Sequence, residues 1–507
     1  MNPRLLNRVS TAALILTCVV GSKLWANEPL ALDQVLNRVL EANLRLQVQK
    51  LDQQMAEERA QAEYAIFEPV LLLTLAREGN SRENSAEQFL SQRVSEFDEN
   101  NTIYSAAVES QLSSGARVRL GSQTRGLENN LQSGDAKEWE TFTGVTVTQP
   151  FLKGKGWSVL SSQIKLAAAD SAVALQDYRG QLALVLSEAE MAYWELAAAT
   201  EFVDLSENSV EVARIMLNDN RERFEAGKLT ELEVLQAESG VALREANLSA
   251  ADQRRLDAAA RLDAFLGRRS SVSGNIKPIE SLKSQDASLY LDTGMEEGFK
   301  KHPAYIAQTE RCRQAGIRLA YARNEKLPAL DLKASYGLNG LSDTLSTSLN
   351  RTVTDSEHPS WYVGFEMRYP IFGGKREKHQ LAAAKMRTRQ ALLELSAIEI
   401  ELVNGMIVLE QRVESLQSRL QAMLRVVDLN ERVLANEQDY LREGKSESRK
   451  VLEAEEDLSE SHLDSLAAAL ELRKAFVDTM VQKGTYLDKR GFELDFAFEP
   501  FDEKALH

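Results

Sequence analysis

The sequence predicts a mixed fold in which long coiled-coil helices accompany short amphipathic strands, built as two tandem structural repeats. Three observations support this fold. Matching segments recur in the same order along the 507-residue chain. Two long segments carry apolar residues at alternating spacings of three and four. Proline is absent between Phe151 and Lys277 and between Ile371 and Glu499, as long helices require.

The internal repeat is clearest near the end of each half. Gly227-Lys228 matches Gly444-Lys445, and the segment 234–238 (VLQAE) matches 451–455 (VLEAE) at the same spacing. We therefore expect a first repeat over residues 27–266, a linker over 267–288, a second repeat over 289–484 and a C-terminal segment over 485–507.

Each repeat is expected to run in the order helix, strands, long helix, sharp turn, helix. In the first repeat these are strands at about 70–149, a long helix at 157–226 and a helix at 228–266. In the second they are strands at about 329–369, a long helix at 375–443 and a helix at 445–484. At 1.5 Å per residue, each long helix would extend about 105 Å.

The long helices carry the stripe of a coiled coil. In the first helix the stripe comprises Leu175, Tyr178, Leu182, Val185, Ala189, Ala192, Leu196, Ala199 and Val203. A second stripe, with members seven residues apart, adjoins it: Leu184, Met191, Ala198, Leu205 and Val212. Two adjoining stripes predict packing against neighbours on both sides. An ordinary coiled-coil dimer is the alternative.

Segments before the long helices change to a period of two. Trp361, Val363, Phe365 and Met367 alternate with more polar residues. This pattern suits a half-buried strand of a soluble sheet, or a strand with one face against lipid. In the first half, 103–112 and 116–125 form a further candidate hairpin with no counterpart in the second half. It is expected to be either an extracellular extension of a barrel or a folded loop.

Residues 1–26 read as a secretory signal peptide, with Arg4 and Arg8 before the apolar run 12–20 and Ala26 at the expected cut. Cys18 raises lipidation as an alternative. Beyond residue 26 no apolar stretch approaches the roughly 20 residues of a membrane helix. The net charge is −16 and no basic run stands out, so nucleic acid is not expected as a partner.

Catalytic chemistry is not expected. The five histidines have no metal-ligand spacing. Cys312 lies in a predicted helix without a nearby histidine, which favours a structural thiol. Gly444-Lys445-Ser446 lacks the upstream glycine of a phosphate-binding loop, because Asp439 stands there. We therefore expect no enzyme activity, no cofactor and no bound metal.

Taken together, these features resemble the TolC-type outer membrane efflux protein family, from about Leu30 to Gly484. The resemblance rests on the doubled helix–strand–helix order, the segments 149–154 (QPFLKG) and 369–374 (YPIFGG), and the two glycine turns 224–227 and 441–444. It implies a homotrimer with a long antiparallel α-helical coiled-coil tunnel. It also implies four strands per protomer in one shared antiparallel transmembrane β-barrel of twelve strands.

The resemblance also implies a function. It is that of an outer-membrane channel of a tripartite efflux or type I secretion system, a passive export duct from the periplasm to the exterior. Its partners would be a periplasmic adaptor (membrane fusion) protein, an inner-membrane pump and outer-membrane lipid. The alternatives are a periplasmic coiled-coil adaptor and a coiled-coil scaffold. An adaptor should have one helical hairpin, and a scaffold should lack strands.

Site residues follow from the same resemblance. The helix turns would form the periplasmic entrance and touch the adaptor; their residues are Gly227, Lys228, Leu229, Thr230, Gly444, Lys445, Ser446 and Glu447. Well-known family members place aspartates six and nine residues after the second glycine. Here those positions hold Lys450 and Glu453, which become the gate candidates. A solvated helix face is the alternative for both.

Overall fold

A computed structural model describes residues 28–131, 137–268, 276–282, 301–354, 357–371, 374–443 and 445–492. Several predicted features lie outside these ranges: the leader with Cys18, most of the linker, the start of the second repeat, Gly444 and the end of the C-terminal segment.

The chain divides into two compact units, each assembled from three separate segments. One unit comprises Met1–Val39, Ala189–Gln285 and Leu420–Leu470. The other comprises Leu40–Glu188, Asp286–Arg419 and Glu471–His507. Each unit draws on both sequence repeats, so neither repeat forms a compact unit by itself.

The helices of the first repeat begin with α1 (Leu32–Ala42) and α2 (Leu44–Ala62), separated by the capping residue Asn43. A 3₁₀ turn follows at Glu63–Phe67. After the strands come α4 (Trp157–Leu160), the 64-residue α5 (Ser162–Glu225) and α6 (Glu231–Phe265). A short helix, α3 (Ala86–Gln92), lies within the strand region.

The second repeat contains the corresponding helices. They are α7 (Pro303–Glu325), α8 (Leu345–Thr354), the 68-residue α9 (Lys375–Arg442) and α10 (Ser448–Gln482). A single-turn helix, α11 (Tyr486–Lys489), follows. Pro303 occupies the first turn of α7, where its missing N–H has no intrahelical partner to lose.

The first apolar stripe of α5 is largely buried, from Tyr178 through Leu182, Val185 and Ala189 to Leu196. In α9 the stripe includes the buried residues Leu402, Met406, Val413 and Val427. The adjoining stripe of α5 is less covered, since Leu184 remains 44% exposed and Val212 36% exposed. Within one chain, the first stripe is therefore packed more completely than the second.

The strands of the described ranges form two sheets. A two-stranded parallel sheet pairs β1 (Glu28–Leu30) with β6 (Ile276–Pro278). The large sheet is antiparallel throughout, in the order β2-β3-β4-β5-β7-β8. Its strands are β2 (Val70–Glu83), β3 (Glu96–Gln111), β4 (Arg117–Leu127), β5 (Glu138–Pro150), β7 (Ala329–Ser342) and β8 (Pro359–Arg368).

The number of strands corrects an expectation. The family resemblance implies four strands per chain, whereas this sheet contains six. The additional pair is the predicted hairpin, now β3 and β4, and its Thr102–Gln111 and Arg117–Gly126 segments are paired along their length. The hairpin belongs to the main sheet because β3 also pairs with β2, and β4 with β5.

The turn between β3 and β4 is fastened to the end of β5. The Gly156 N–H donates to the Ser114 carbonyl at 3.2 Å, and the Ser114 hydroxyl bonds to Gln149 Oε1 at 3.1 Å. Gly115 has φ +89°, and a Cβ there would strike the Gly154 carbonyl. The turn thus lies beside the segment that joins β5 to the long helix, at the helix end of the sheet.

Candidate functional site

The first helix turn ends α5 with a Schellman motif. The Lys228 N–H donates to the Arg223 carbonyl, and the Gly227 N–H donates to the Phe224 carbonyl, both at 2.8 Å. Gly227 has φ +71°, a left-handed conformation that glycine adopts without a Cβ penalty. These bonds satisfy carbonyls that the helix end would otherwise leave unpaired. The turn is therefore a defined structure.

The next helix, α6, is capped at its start. The Thr230 N–H donates to a Glu233 carboxylate oxygen at 2.7 Å, and the Thr230 hydroxyl donates to the same oxygen at 2.9 Å. These hydrogen bonds lower the pKa of Glu233 below its usual value. A negative charge in the first turn also complements the helix dipole. α6 consequently begins three residues later than the sequence predicts, at Glu231.

The second helix turn shares one backbone hydrogen bond with the first. The Lys445 N–H donates to the Tyr440 carbonyl at 2.8 Å, which is the counterpart of the Lys228 bond in the first turn. The Ser446 hydroxyl donates to Glu437 at 2.6 Å, and Lys445 Nζ lies 2.6 Å from Glu443. Gly444 itself lies outside the described residues. Side-chain contacts thus hold the flanks of this turn.

The predicted gate residues lie on the first turns of α10. Both Lys450 and Glu453 are exposed. The Glu453 carboxylate forms an ion pair with Arg449 Nη1 at 3.3 Å, one helical turn away. Exposure in a single chain is compatible with a position on an aqueous pore and with a position in bulk water. The role of the two residues in a gate therefore stays a prediction.

A buried polar cluster escaped the sequence analysis. Arg244 on α6 and Glu455 on α10 are 2.8 Å apart between Nη2 and Oε2, with side chains only 8% and 9% exposed. The hydroxyl of Ser209 on α5 lies 3.2 Å from both Arg244 Nε and Glu455 Oε1. The Ser209 hydroxyl thus gives both charged groups of the buried ion pair a further hydrogen-bonding partner. The cluster links three helices, α5, α6 and α10.

The sequence contains a signal for one member of this cluster. On α6 the buried residues Ala237, Val241, Ala251 and Ala258 follow a heptad, and Arg244 occupies one of the heptad's core positions. A charged residue in an apolar stripe needs a partner. The partner could not be identified from sequence, because it comes from the other repeat.

The large sheet has one apolar face. The register aligns one residue from each strand in a single row of directly opposed side chains: Leu71, Val108, Leu120, Val145, Tyr336 and Trp361. Five of the six are strongly exposed, from 44% for Val108 to 75% for Trp361. We call the surface that carries this row the apolar face. Val363, Phe365 and Met367 lie on it as well.

The opposite surface, which we call the polar face, carries a different row. It consists of Val70, Glu109, Arg119, Thr146, Ser335 and Tyr362. On the same face Glu366 contacts Lys333 and lies 3.1 Å from Arg368. A sheet with exposed apolar side chains on one side and charged pairs on the other suits hydrocarbon against the first and water against the second.

Helix α8 packs on the sheet with its polar side. Ser348 and Thr352 are buried, and the Ser348 hydroxyl lies 2.8 Å from Thr141 Oγ1 on β5. Leu349 and Val353 point away and are 37% and 69% exposed. This arrangement reverses the usual amphipathic helix of a water-soluble protein.

Among the described residues, no group of three or more His, Cys, Asp or Glu side chains is placed to hold a metal ion. In the same part of the chain, no helix combines the length and apolar composition needed to cross a bilayer. Cys312 is half-buried, and its thiol lies 3.3 Å from the Ala391 carbonyl; burial raises the pKa of this thiol.

Comparison with protein families decides the assignment. The family described as Outer membrane efflux protein matches residues 35–268 and 305–478, which is most of the chain. The chain belongs to this family. The resemblance predicted from the sequence motifs is thereby confirmed.

Two curated proteins are similar to this chain in sequence. The chain is 24% identical over 236 residues to Protein CyaE of Bordetella pertussis, and the match covers 46% of the chain and 48% of that protein. It is 23% identical over 329 residues to Outer membrane efflux protein BepC of Brucella suis, covering 64% of the chain and 68% of BepC. The match thus spans about half the length of the first relative.

Solved structures share the fold. The outer-membrane channel OprN superposes with a TM-score of 0.65 at 16% identity, covering 90% of each chain. The open state of the MtrE channel of Neisseria gonorrhoeae gives 0.64 at 15% identity, covering 91% of each chain. VceC of Vibrio cholerae gives 0.59 at 18% identity, covering 91% of this chain and 97% of VceC.

Proposed function

We propose that this chain forms an outer-membrane channel of a tripartite efflux or type I secretion system. In this role it is a passive export duct from the periplasm to the exterior. The observation that carries the proposal is the apolar face, whose row of apolar side chains continues across every strand of the large sheet, with five of the six members strongly exposed. A sheet of this kind needs hydrocarbon on one side.

The channel assembles as a homotrimer. Its strands join into one closed transmembrane β-barrel above a helical tunnel. The backbone of a sheet edge cannot remain unpaired in lipid, and neighbouring copies supply the missing pairs. The exposed second stripe of α5, with Leu184 and Val212, offers helix packing between copies.

The helix turns form the periplasmic entrance. They bind an adaptor protein, which connects the channel to an inner-membrane pump. The two helix turns support this role because Lys228 and Lys445, each of which donates its N–H to the carbonyl five residues earlier, are both exposed. Lys450 and Glu453 then lie close to the tunnel's mouth, with three copies of each in the trimer.

The periplasmic adaptor and the scaffold have less support. An adaptor should have one helical hairpin, whereas this chain has a second hairpin, formed by α9 and α10, in addition to that of α5 and α6. A coiled-coil scaffold has no use for a six-stranded sheet whose exposed face is apolar.

The test combines location and transport. The protein is expressed together with the adaptor and pump of a tripartite efflux system in a Gram-negative host that lacks its own export channels. We expect a heat-modifiable trimer in the outer-membrane fraction and a lower steady-state content of a fluorescent efflux substrate. A matched strain carries Gly227→Val, which should keep the trimer and lose export. A monomer or dimer soluble in the periplasm would overturn the proposal.

A further inference from the structure

The large sheet leaves two edges open within one chain, at β2 and at β8. Its six strands alternate in direction, so β2 and β8 run antiparallel to each other. Each edge presents backbone N–H and C=O groups that have no strand partner among the described residues of this chain. A second copy placed beside the first could therefore continue the same antiparallel ladder, β8 against β2.

We propose that all six strands of each chain form the membrane wall, and that β8 of one copy pairs with β2 of the next. Three copies then close a sheet of eighteen strands. This inference rests on the proposed function and goes beyond it, since the family resemblance implies twelve strands.

The first argument is that the β3–β4 hairpin is in register with the wall. Val108 on β3 opposes Leu71 on β2, and Leu120 on β4 opposes Val145 on β5. Val108 and Leu120 thus fill the second and third of the six places in the apolar row. A one-residue slip would place charged Glu109 and Arg119 on the apolar face instead. The hairpin has the face pattern of a wall strand.

The second argument is the position of the hairpin's turn. Ser114 and Gly115 lie against Gln149, Gly154 and Gly156, where β5 passes into the long helix. Strand β3 therefore runs the full way from the loop side of the sheet to its helix side, and β4 returns. A loop folded outside the membrane would have no reason to reach this end.

The third argument concerns the edges. Leu71, Leu73 and Leu75 on β2 are 63–79% exposed, and Val363, Phe365 and Met367 on β8 are 58–68% exposed. Both edge strands thus present apolar side chains on the same face of the sheet. Lipid can cover these side chains but cannot pair with the edge backbone, whereas a second copy of this chain satisfies the backbone and continues the apolar face.

The predicted consequence is a wider wall. The diameter of a closed sheet grows roughly in proportion to the number of strands. At equal strand tilt, an eighteen-stranded wall would be about half as wide again as a twelve-stranded one.

The first experiment uses site-directed spin labels on the trimer in lipid vesicles, with Cys312 replaced by Ser. Val108→Cys and Leu120→Cys carry labels on the apolar face of the hairpin. Glu109→Cys and Arg119→Cys are the matched controls on the polar face, and Phe365→Cys is the reference. We expect Val108 and Leu120 labels to collide with oxygen as the Phe365 label does, and the two control labels to collide with a water-soluble nickel complex. Nickel accessibility at all four hairpin positions would overturn the proposal.

The second experiment tests strand order by disulfide formation. In the purified trimer, Leu73→Cys/Ala106→Cys and Leu120→Cys/Val145→Cys should each oxidise within one chain, whereas Leu73→Cys/Val145→Cys should stay reduced. The reverse pattern would place β2 beside β5 and leave twelve strands. Between copies, Leu73→Cys combined in turn with Val363→Cys, Phe365→Cys and Met367→Cys should give covalent trimers in one pairing. Failure of all three pairings would refute the β8–β2 contact.

The two proposals fail in different ways. A trimer that exports its substrate but has a water-accessible hairpin would defeat only the eighteen-stranded sheet. A protein that never enters the membrane would defeat the proposed function as well.

Discussion

Arg244 and Glu455 form a buried ion pair between the two repeats, with Nη2 and Oε2 2.8 Å apart. The repeat-equivalent of Glu455 is Glu238, which pairs instead with Arg221 of its own repeat at 2.7 Å and remains exposed. Equivalent glutamates of the two repeats therefore form different ion pairs. Glu238 forms an exposed pair within its own repeat, and Glu455 forms a buried pair with the other repeat. The pseudo-symmetry of the sequence is broken at this point.

The buried pair should be costly to break. Arg244→Met or Glu455→Gln leaves one charge without its partner in a site that is less than a tenth exposed, and we expect a loss of about 3–5 kcal/mol in the free energy of unfolding. The double variant Arg244→Met/Glu455→Leu should recover most of this loss. Denaturant unfolding in a double-mutant cycle measures it. Arg221→Met is the control, with an expected cost below about 1 kcal/mol. Equal effects of Arg221→Met and Arg244→Met would contradict the prediction.

The left-handed turn at Gly227 should be sensitive to side-chain shape. No atom lies within 4 Å of a Cβ placed there, so the cost of Gly227→Val is backbone strain, about 1–2 kcal/mol or more for a β-branched residue. We expect loss of export with an intact trimer, measured by substrate accumulation and by electrophoresis without heating. Gly227→Asn should retain export, because Asn tolerates this conformation. Gly444→Val is predicted to behave like Gly227→Val. Full export by both valine variants would contradict the assignment of the two turns to the periplasmic entrance.

The apolar face should reject charge. Phe365→Arg, at 68% exposure on this face, should destabilise the membrane-inserted protein by about 2–4 kcal/mol near the bilayer midplane. Tyr362→Arg, on the polar face of the same strand, should cost much less. Tyr362 is a better control than Glu366, which already contacts Lys333. Unfolding in detergent–lipid vesicles gives the measurement, and equal tolerance at both positions would show that the strand is not in a bilayer.

The charge at Lys450 should influence ion selectivity. Replacing this exposed lysine with Asp changes the charge by two per chain, and hence by six per trimer. If Lys450 faces the pore, the reversal potential in a planar bilayer should shift toward cations and the conductance should become sensitive to divalent ions. Lys445→Asp, at the turn itself, is the control with a smaller expected shift. An unchanged selectivity in Lys450→Asp would place this residue on an outer helix face.

Acidification should weaken the start of α7. The Ala304 N–H donates to His302 Nδ1 at 3.3 Å, and burial lowers the pKa of His302 below 6.5, against the opposing pull of Glu401. Because the pKa of His302 is lower in the folded state, the neutral imidazole contributes to folding stability. This contribution is complete above the unfolded pKa near 6.5 and is lost as the pH falls through the folded pKa. We expect amide exchange at Ala304 and Tyr305 to accelerate as the pH falls from 7.5 to 5, after correction for intrinsic rates. His302→Asn keeps an acceptor that does not titrate, so its profile should be flat.

The helices were predictable because their signals are local and sustained. The 3.5-residue stripe led to a long helix over 375–443, and the structure has Lys375–Arg442. For the first long helix, the predicted start at Trp157 coincides with a separate turn of helix, and α5 begins at Ser162. The glycines predicted where both turns lie, but each following helix begins three residues later than predicted, at Glu231 and Ser448, and at Glu231 the Thr230–Glu233 capping box accounts for the later start.

The strand number was harder to predict. The start of β2, Val70 to Leu75, is an apolar run in which period two is hidden, and the rest of that strand is polar on both faces. The first part of β3 is similarly polar. Membership of a sheet depends on partners far along the chain, and so does the Arg244–Glu455 pair. Neither follows from the residues of a single segment.

The β3–β4 hairpin also bears on how such a wall could diversify. A hairpin leaves and returns, so its gain or loss would not alter the direction of β5 or the order in which the helices are connected. One in-frame insertion between two wall strands would thus add two strands per chain, and six per trimer, to the circumference of the wall. Channels of different bore could arise from a common ancestor while the helical part of the gene, and the partners that depend on it, stayed the same.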